Sequence, residues 1–261
     1  MKIITTHINK GGTGKSTISY NFASWIAERK NKKVLLVDGD HSCNLSFSFP
    51  DTGKSSVLDI FQNNEVELYP IYKNLDLLKG SKNLKDDFLD LKSKQNNCMI
   101  MFMWIADNIK RLEQYDYMII DTHNEPSLVT NNFIAVSDIV LGVSEPSRNG
   151  FRAWLDLEDT IDVLKSNLVD VRTRESYVTT EPYLIGNRLE HNTSSSKYFL
   201  DIIEKDPRYL GMIQKKELLA KSLLENVNIF SRNDKTQKEH KAFYENTEAV
   251  FNRIIDIVDK K

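Results

Sequence analysis

Residues 10–17 read Lys10-Gly11-Gly12-Thr13-Gly14-Lys15-Ser16-Thr17, and their chemistry is that of a cradle for phosphate. Glycines let backbone N–H groups converge on oxyanions, and a helix starting at Ser16 would add its N-terminal dipole. Lys15 can reach the β- and γ-phosphates of a nucleotide as a point charge. The Ser16 hydroxyl is placed to ligate Mg²⁺, and Thr17 offers a further hydroxyl. Gly-rich turns also join strands to helices without any ligand. Here strand, loop, Lys-Ser pair and helix coincide, and that coincidence favours the phosphate reading.

Two more segments carry acids where a phosphate site needs them. Val34-Leu35-Leu36-Val37 runs into Asp38-Gly39-Asp40, and Met118-Ile119-Ile120 runs into Asp121. Continuous apolar runs of this kind suit strands buried on both faces of a parallel sheet. Carboxylates at the C-terminal ends of such strands stand where open α/β sheets bind ligands. His41, next to Asp40, reads as a polar loop residue rather than a catalyst.

The elements that must position these groups can be traced along the chain. Ile3 to Ile8 reads as a strand entering the loop, and Ile18, Phe22, Trp25, Ile26 and Arg29 form one stripe of a helix that follows. Further strands are expected at Leu75–Leu78, Ile139–Val143 and Tyr183–Gly186. Helices are expected near 84–94, 98–114, 150–166 and 195–205, and mostly helix over 215–258. The alternation predicts an α/β doubly wound, mostly parallel sheet with helices on both faces. With 261 residues and 40% hydrophobic content, the default is one domain spanning 1–261, with a core that needs no disulfide or structural metal.

The loop K-G-G-x-G-K-[S/T] resembles the deviant Walker motif of the ParA and MinD group of P-loop ATPases. The resemblance implies ATP and Mg²⁺ as cofactors, and an early lysine, Lys10, that contacts phosphate across an ATP-bound homodimer. The hhhhDxD stretch resembles the group's second motif, which implies that Asp40 orients the attacking water and Asp38 supports the Mg²⁺ shell. His41-Ser42 stands where that motif has Pro-Gln. Tyr115 to Thr122 resembles the Walker B strand, giving Asp121 a water of the Mg²⁺ shell. The family's Thr-x-Pro is here the longer Thr122-His123-Asn124-Glu125-Pro126. Asn187 and Arg188 follow a candidate strand where the family reads adenine, and a satisfied loop amide is the competing reading. The leading function that the resemblance implies is plasmid or chromosome partition, with nonspecific DNA bound in the ATP state and hydrolysis stimulated by a ParB-type centromere-binding partner.

Composition bounds the alternatives. Lys+Arg 35 against Asp+Glu 37 leaves a formal charge of -2, so nucleic-acid binding would need a local patch. Between Arg208 and Lys241 basic residues exceed acids, with Arg208, Lys215, Lys216, Lys221, Arg232, Lys235, Lys238 and Lys241 on the basic side. A solvated helical face is the bland account; the resemblance favours DNA contact through Lys215, Lys216 and Arg232. The chain starts almost at the phosphate-loop strand, which reads as the small form of the family. With two cysteines, no C-x-x-C and no secretory pattern, it reads as cytoplasmic and, by the resemblance, nucleoid-associated. A MinD-like membrane helix at Ile254–Lys261, a segment that contains two acids, is the rival reading, and a helix packed on the domain the simpler one. An ATP-binding scaffold with little turnover is another. Cys43 and Cys98 lack a cluster-ligand setting. Met99, Met101, Phe102, Met103 and Trp104 read as a core helix before a partner groove.

Overall fold

The computed structural model describes residues 1–50, 53, 55–145, 147–189, 194–232 and 240–261. Its centre is an eight-stranded sheet built from β1 (Lys2–Thr6), β2 (Val34–Gly39), β3 (Tyr69–Tyr72), β4 (Leu75–Leu78), β5 (Tyr117–Thr122), β6 (Ile139–Ser144), β7 (Glu181–Leu189) and β8 (Tyr209–Gln214). The strand order is β3-β4-β2-β5-β1-β6-β7-β8. All neighbours run parallel except β3 and β4, which gives the doubly wound α/β fold expected of a P-loop NTPase. The edge strand β3 carries Pro70 and a register shift between Pro70 and Tyr72.

Alternation along each strand sends side chains to two helical layers. Ile4, Leu36, Ile119, Leu141 and Ile185 share one core with α1 (Lys15–Arg29), α8 (Glu217–Leu224) and α9 (Lys241–Val258). On the other face, Ile3, Leu35, Val37, Met118 and Ile120 pack against α2 (Val57–Phe61), α3 (Ile100–Asp107) and α5 (Leu128–Ala135). The same layer continues through Val140 and Leu184 to α6 (Arg148–Asn167) and α7 (Ser194–Ile203). In α9, Phe251, Ile254, Ile255 and Val258 are all buried in the first of these cores. Among the described residues no helix is long and apolar enough to cross a membrane.

Three departures from the expected elements have local causes. Residues 84–94 form turns and a single short 3-10 stretch, Leu91–Ser93. Asp90 sits at φ 47°, and Asp86 leaves its own backbone to accept the Leu128 and Val129 amides at 2.8 and 3.1 Å, capping α5. The helix expected over 98–114 divides into α3 and α4 (Ile109–Leu112) at Asn108. Its amide there donates to the Trp104 carbonyl at 2.9 Å, a local bond that competes with the helix. Strand β8, between α7 and α8, was not expected; Gly211 stands within it at φ 131°, and glycine in a strand weakens its sequence signal.

Candidate nucleotide-binding site

β1 lies between β5 and β6, the strands at which the chain crosses from one half of the sheet to the other. Such a switch point opens a crevice at the carboxyl ends of the strands. The register aligns Thr6 and Asp38 each with Asp121, so three polar groups arrive at one level of that edge. The loop after Thr6 then turns into α1 through Gly12 and Gly14, at φ 75° and 94°. Side chains rarely adopt that backbone, and glycine adopts it at no steric cost.

The cradle encloses about 330 Å³ bounded by Gly12, Thr13, Gly14, Lys15, Ser16 and Thr17, with Asp40, Asn124 and Leu223 opposite. Lys15 is buried and donates to the Lys10 carbonyl at 3.2 Å. Burial pushes its ammonium below the usual lysine range, opposed by the charges of Asp121 and Asp40. Asp121 is fully buried. Its Oδ1 accepts the Thr6 and Ser19 hydroxyls, each at 3.2 Å, and the Ser16 hydroxyl is near enough to favour its charged form. Among the described residues its Oδ2 has no hydrogen-bond partner. Burial raises the Asp121 pKa to about 6, against the pull of Ser16 and Lys15. A buried carboxylate with one oxygen unsatisfied, beside a serine hydroxyl at a helix N-terminus, fits a hydrated Mg²⁺.

Asp38 has a different employment. Its Oδ2 accepts the Ser46 amide and hydroxyl at 2.8 and 2.5 Å, and its Oδ1 the Asp40 amide at 3.2 Å. Both oxygens therefore shape the loop after β2. Burial, then the charge of Asp121, raises the Asp38 pKa to about 7. Asp40, carried by that loop, accepts the Ser42 amide at 2.7 Å and pairs with His123 Nδ1 at 2.7 Å. Burial pushes this carboxyl up, but the bonds from Ser42 and the contact with His123 prevail and hold it below its ordinary value.

Lys10 projects away from Lys15. Its Nζ donates to Glu145 Oε2 at 2.9 Å and Ser147 Oγ at 3.1 Å, both beyond the end of β6. Asn187, on β7, donates to the Thr13 carbonyl at 2.6 Å, and its buried Oδ1 is without a partner among the described residues. It thus braces the phosphate loop from below. The Arg188 backbone belongs to β7, while its side chain lies outside the described residues.

The basic stretch is largely engaged within the chain. Arg208 pairs with Asp206 and Glu158, Lys221 with Glu217 at 2.7 Å, and Arg232 with Glu225. Lys215 is exposed and Lys216, the N-cap of α8, half-buried. Lys235 and Lys238 lie outside the described residues.

Sequence reasoning missed Ser46, Glu145 and the Asp40–His123 contact. Glu145 stands one residue past a buried parallel strand, the same signal that marks Asp38 and Asp121. Ser46 and His123 meet their partners through loop folding that no spacing announces.

Residues 1–172 match the model of the AAA domain family, and the chain belongs to that family. A virulence plasmid ParA family protein of Chlamydia psittaci is 28% identical over 210 residues, 78% of this chain and 76% of the relative. A putative plasmid partition protein from Borrelia burgdorferi B31, solved bound to AMPPNP, superposes with a TM-score of 0.77 at 24% identity over 97% of this chain and 98% of its own. An ATP complex of McdA from Cyanothece superposes with a TM-score of 0.79 at 16% identity, covering 97% and 96%. The ParA-type resemblance carried by the phosphate loop therefore extends to sequence relatives and to the fold.

Proposed function

We propose that this chain is a Mg²⁺-dependent ATPase that acts as a dimerising switch in DNA partition. The observation that carries the reading is the pairing of two lysines in one loop. Lys15 is buried beside Asp121, whereas Lys10 leaves the cradle and ends on an exchangeable ion pair with Glu145. A lysine held at the rim by a half-buried acid is available to a phosphate presented by a second copy.

In this reading Lys15, the loop amides of Gly11 to Gly14 and the Thr17 hydroxyl hold the phosphates. Ser16 and Asp121 hold Mg²⁺, which supplies charge neutralisation at the β- and γ-phosphates when bound. Asp38 supports that shell indirectly, by fixing the loop that carries Asp40. Asp40, with its carboxyl kept ionised, orients water for in-line attack, and His123 holds the carboxylate in place. Asn187 keeps the loop seated and offers Oδ1 toward the base.

DNA contact through Lys215, Lys216 and Arg232, and stimulation by a ParB-type partner, complete the proposal. Arg232 would have to exchange Glu225 for phosphate. The buried stripe of α9 favours this reading over membrane insertion. The test is DNA binding and phosphate release measured with no nucleotide, ADP and ATP. ATP-specific DNA binding supports partition; DNA binding indifferent to nucleotide, with no phosphate release, rejects it.

A further inference from the structure

We propose that Asp40, His41 and His123 form a binding site for a divalent transition-metal ion of the Zn²⁺ class, separate from the Mg²⁺ position at Ser16 and Asp121. One ligand atom from each of the three residues lies within 4.8 Å of the others. The two imidazole rings approach to 4.0 Å between centroids at 44°, and His123 Nδ1 is 2.7 Å from Asp40 Oδ1. Around a tetrahedral ion with bonds of about 2.0–2.1 Å, neighbouring donors stand roughly 3.4 Å apart. Small side-chain rotations would close the triad.

The donor set selects the ion. Two imidazoles and a carboxylate suit Zn²⁺ and its neighbours, whereas Mg²⁺ takes oxygen donors and keeps its waters. Water can take the fourth position, because Glu125 stands at the other ring nitrogen, 3.8 Å from His123 Nε2. The ligands also come from two separate loops. His41 follows β2 at the position where the resembled motif has proline, and His123 follows β5 in the lengthened interval before Pro126. Two independent departures in sequence thus meet at one point in space.

An ion there would tie the loop after β2 to the loop after β5 and occupy a carboxylate oxygen of Asp40. This consequence, unlike the metal binding itself, rests on the reading of Asp40 as the water-orienting group. Hydrolysis would then stop while nucleotide stays bound.

Co²⁺, whose d–d absorption reports imidazole ligation, is titrated into the full chain without nucleotide. The expected result is saturable binding of one ion per chain, displaced by Zn²⁺. Binding should weaken at least about 10- to 100-fold in His41→Ala and in His123→Ala. It should persist in Cys43→Ser, which removes the nearby thiol. Metal-free melting curves establish that each variant folds, and His41→Gln repeats the test with a bulkier side chain. Failure of the wild type to bind Co²⁺, or equal affinity in the double histidine variant, overturns the site. In a second arm, Zn²⁺ is titrated into ATP turnover with excess Mg²⁺. Wild-type turnover should fall over the range that fills the site and His41→Ala turnover should resist; equal inhibition of both overturns the control of hydrolysis. Absence of turnover before any Zn²⁺ is added counts against the ATPase reading, and the Co²⁺ spectra alone then decide the metal site.

Discussion

At the scale of single residues, charge placement separates groups that hold nucleotide from groups that act on it. Lys15→Ala removes the one buried cation of the cradle, and ATP affinity should fall by on the order of 100-fold or more, read by equilibrium titration with a fluorescent analogue. Asp40→Ala leaves the cradle intact; turnover should drop about 100-fold or more at nearly unchanged ATP affinity, measured as phosphate release beside the same titration. Asp121 makes a prediction about pH. Its pKa is raised from 3.8 to about 6, so between those values the folded chain holds a proton that the unfolded chain has lost. The folded state is therefore progressively penalised as pH rises through that window, and the penalty is complete above it. Asp121→Asn escapes the penalty, and its nucleotide-free melting temperature should gain on the wild type as pH is taken from 4 to 7. A constant difference across that range would refute the raised pKa.

Elements explain why some of this was legible from residue types and some was not. Strands β1, β2 and β5 were readable because both faces are buried, leaving apolar runs that end in a loop or an acid. The phosphate loop was readable because its chemistry demands glycine and lysine at fixed spacing. β8 was hidden because Gly211 interrupts a short strand, and 84–94 was misread because its apolar spacing serves a loop whose Asp86 caps a different helix. Lys10 was readable as a special residue, yet its resting partner Glu145 lies 135 positions away and only the β1–β6 pairing brings them together. That contact predicts opposed effects: Lys10→Ala should weaken ATP-dependent dimerisation more than nucleotide binding, whereas Glu145→Gln should lower the ATP concentration at which dimers form, both read by light scattering. The final helix offers a stability test. Phe251 is buried against Phe22, Trp25 and Phe230, with ring centroids 5.0, 5.6 and 5.9 Å away, and Phe251→Ala should cost about 3–5 kcal/mol in denaturant unfolding.

For the whole molecule, the relevant quantity is how a chain with net charge -2 could hold DNA. Arg208, Lys221 and Arg232 already answer an acid of the same chain, so part of the positive charge of that stretch is neutralised within each copy. Two copies joined by ATP would double the contacts and make binding both nucleotide-dependent and steeply weakened by salt. Glutamate at Lys215, Lys216 and Arg232 together should abolish that binding and leave DNA-independent turnover unchanged, as judged by filter retention at low and moderate salt. The manner in which copies can join is itself restricted by the outer strand β3. Pro70 has no amide hydrogen to offer a neighbour, and the shifted register beyond it bends the strand out of line. Both features oppose the pairing of two sheets along that flank into a continuous ribbon. Any contact between copies on this side is thereby biased toward side chains and away from the amyloid-like pairing that an open strand invites.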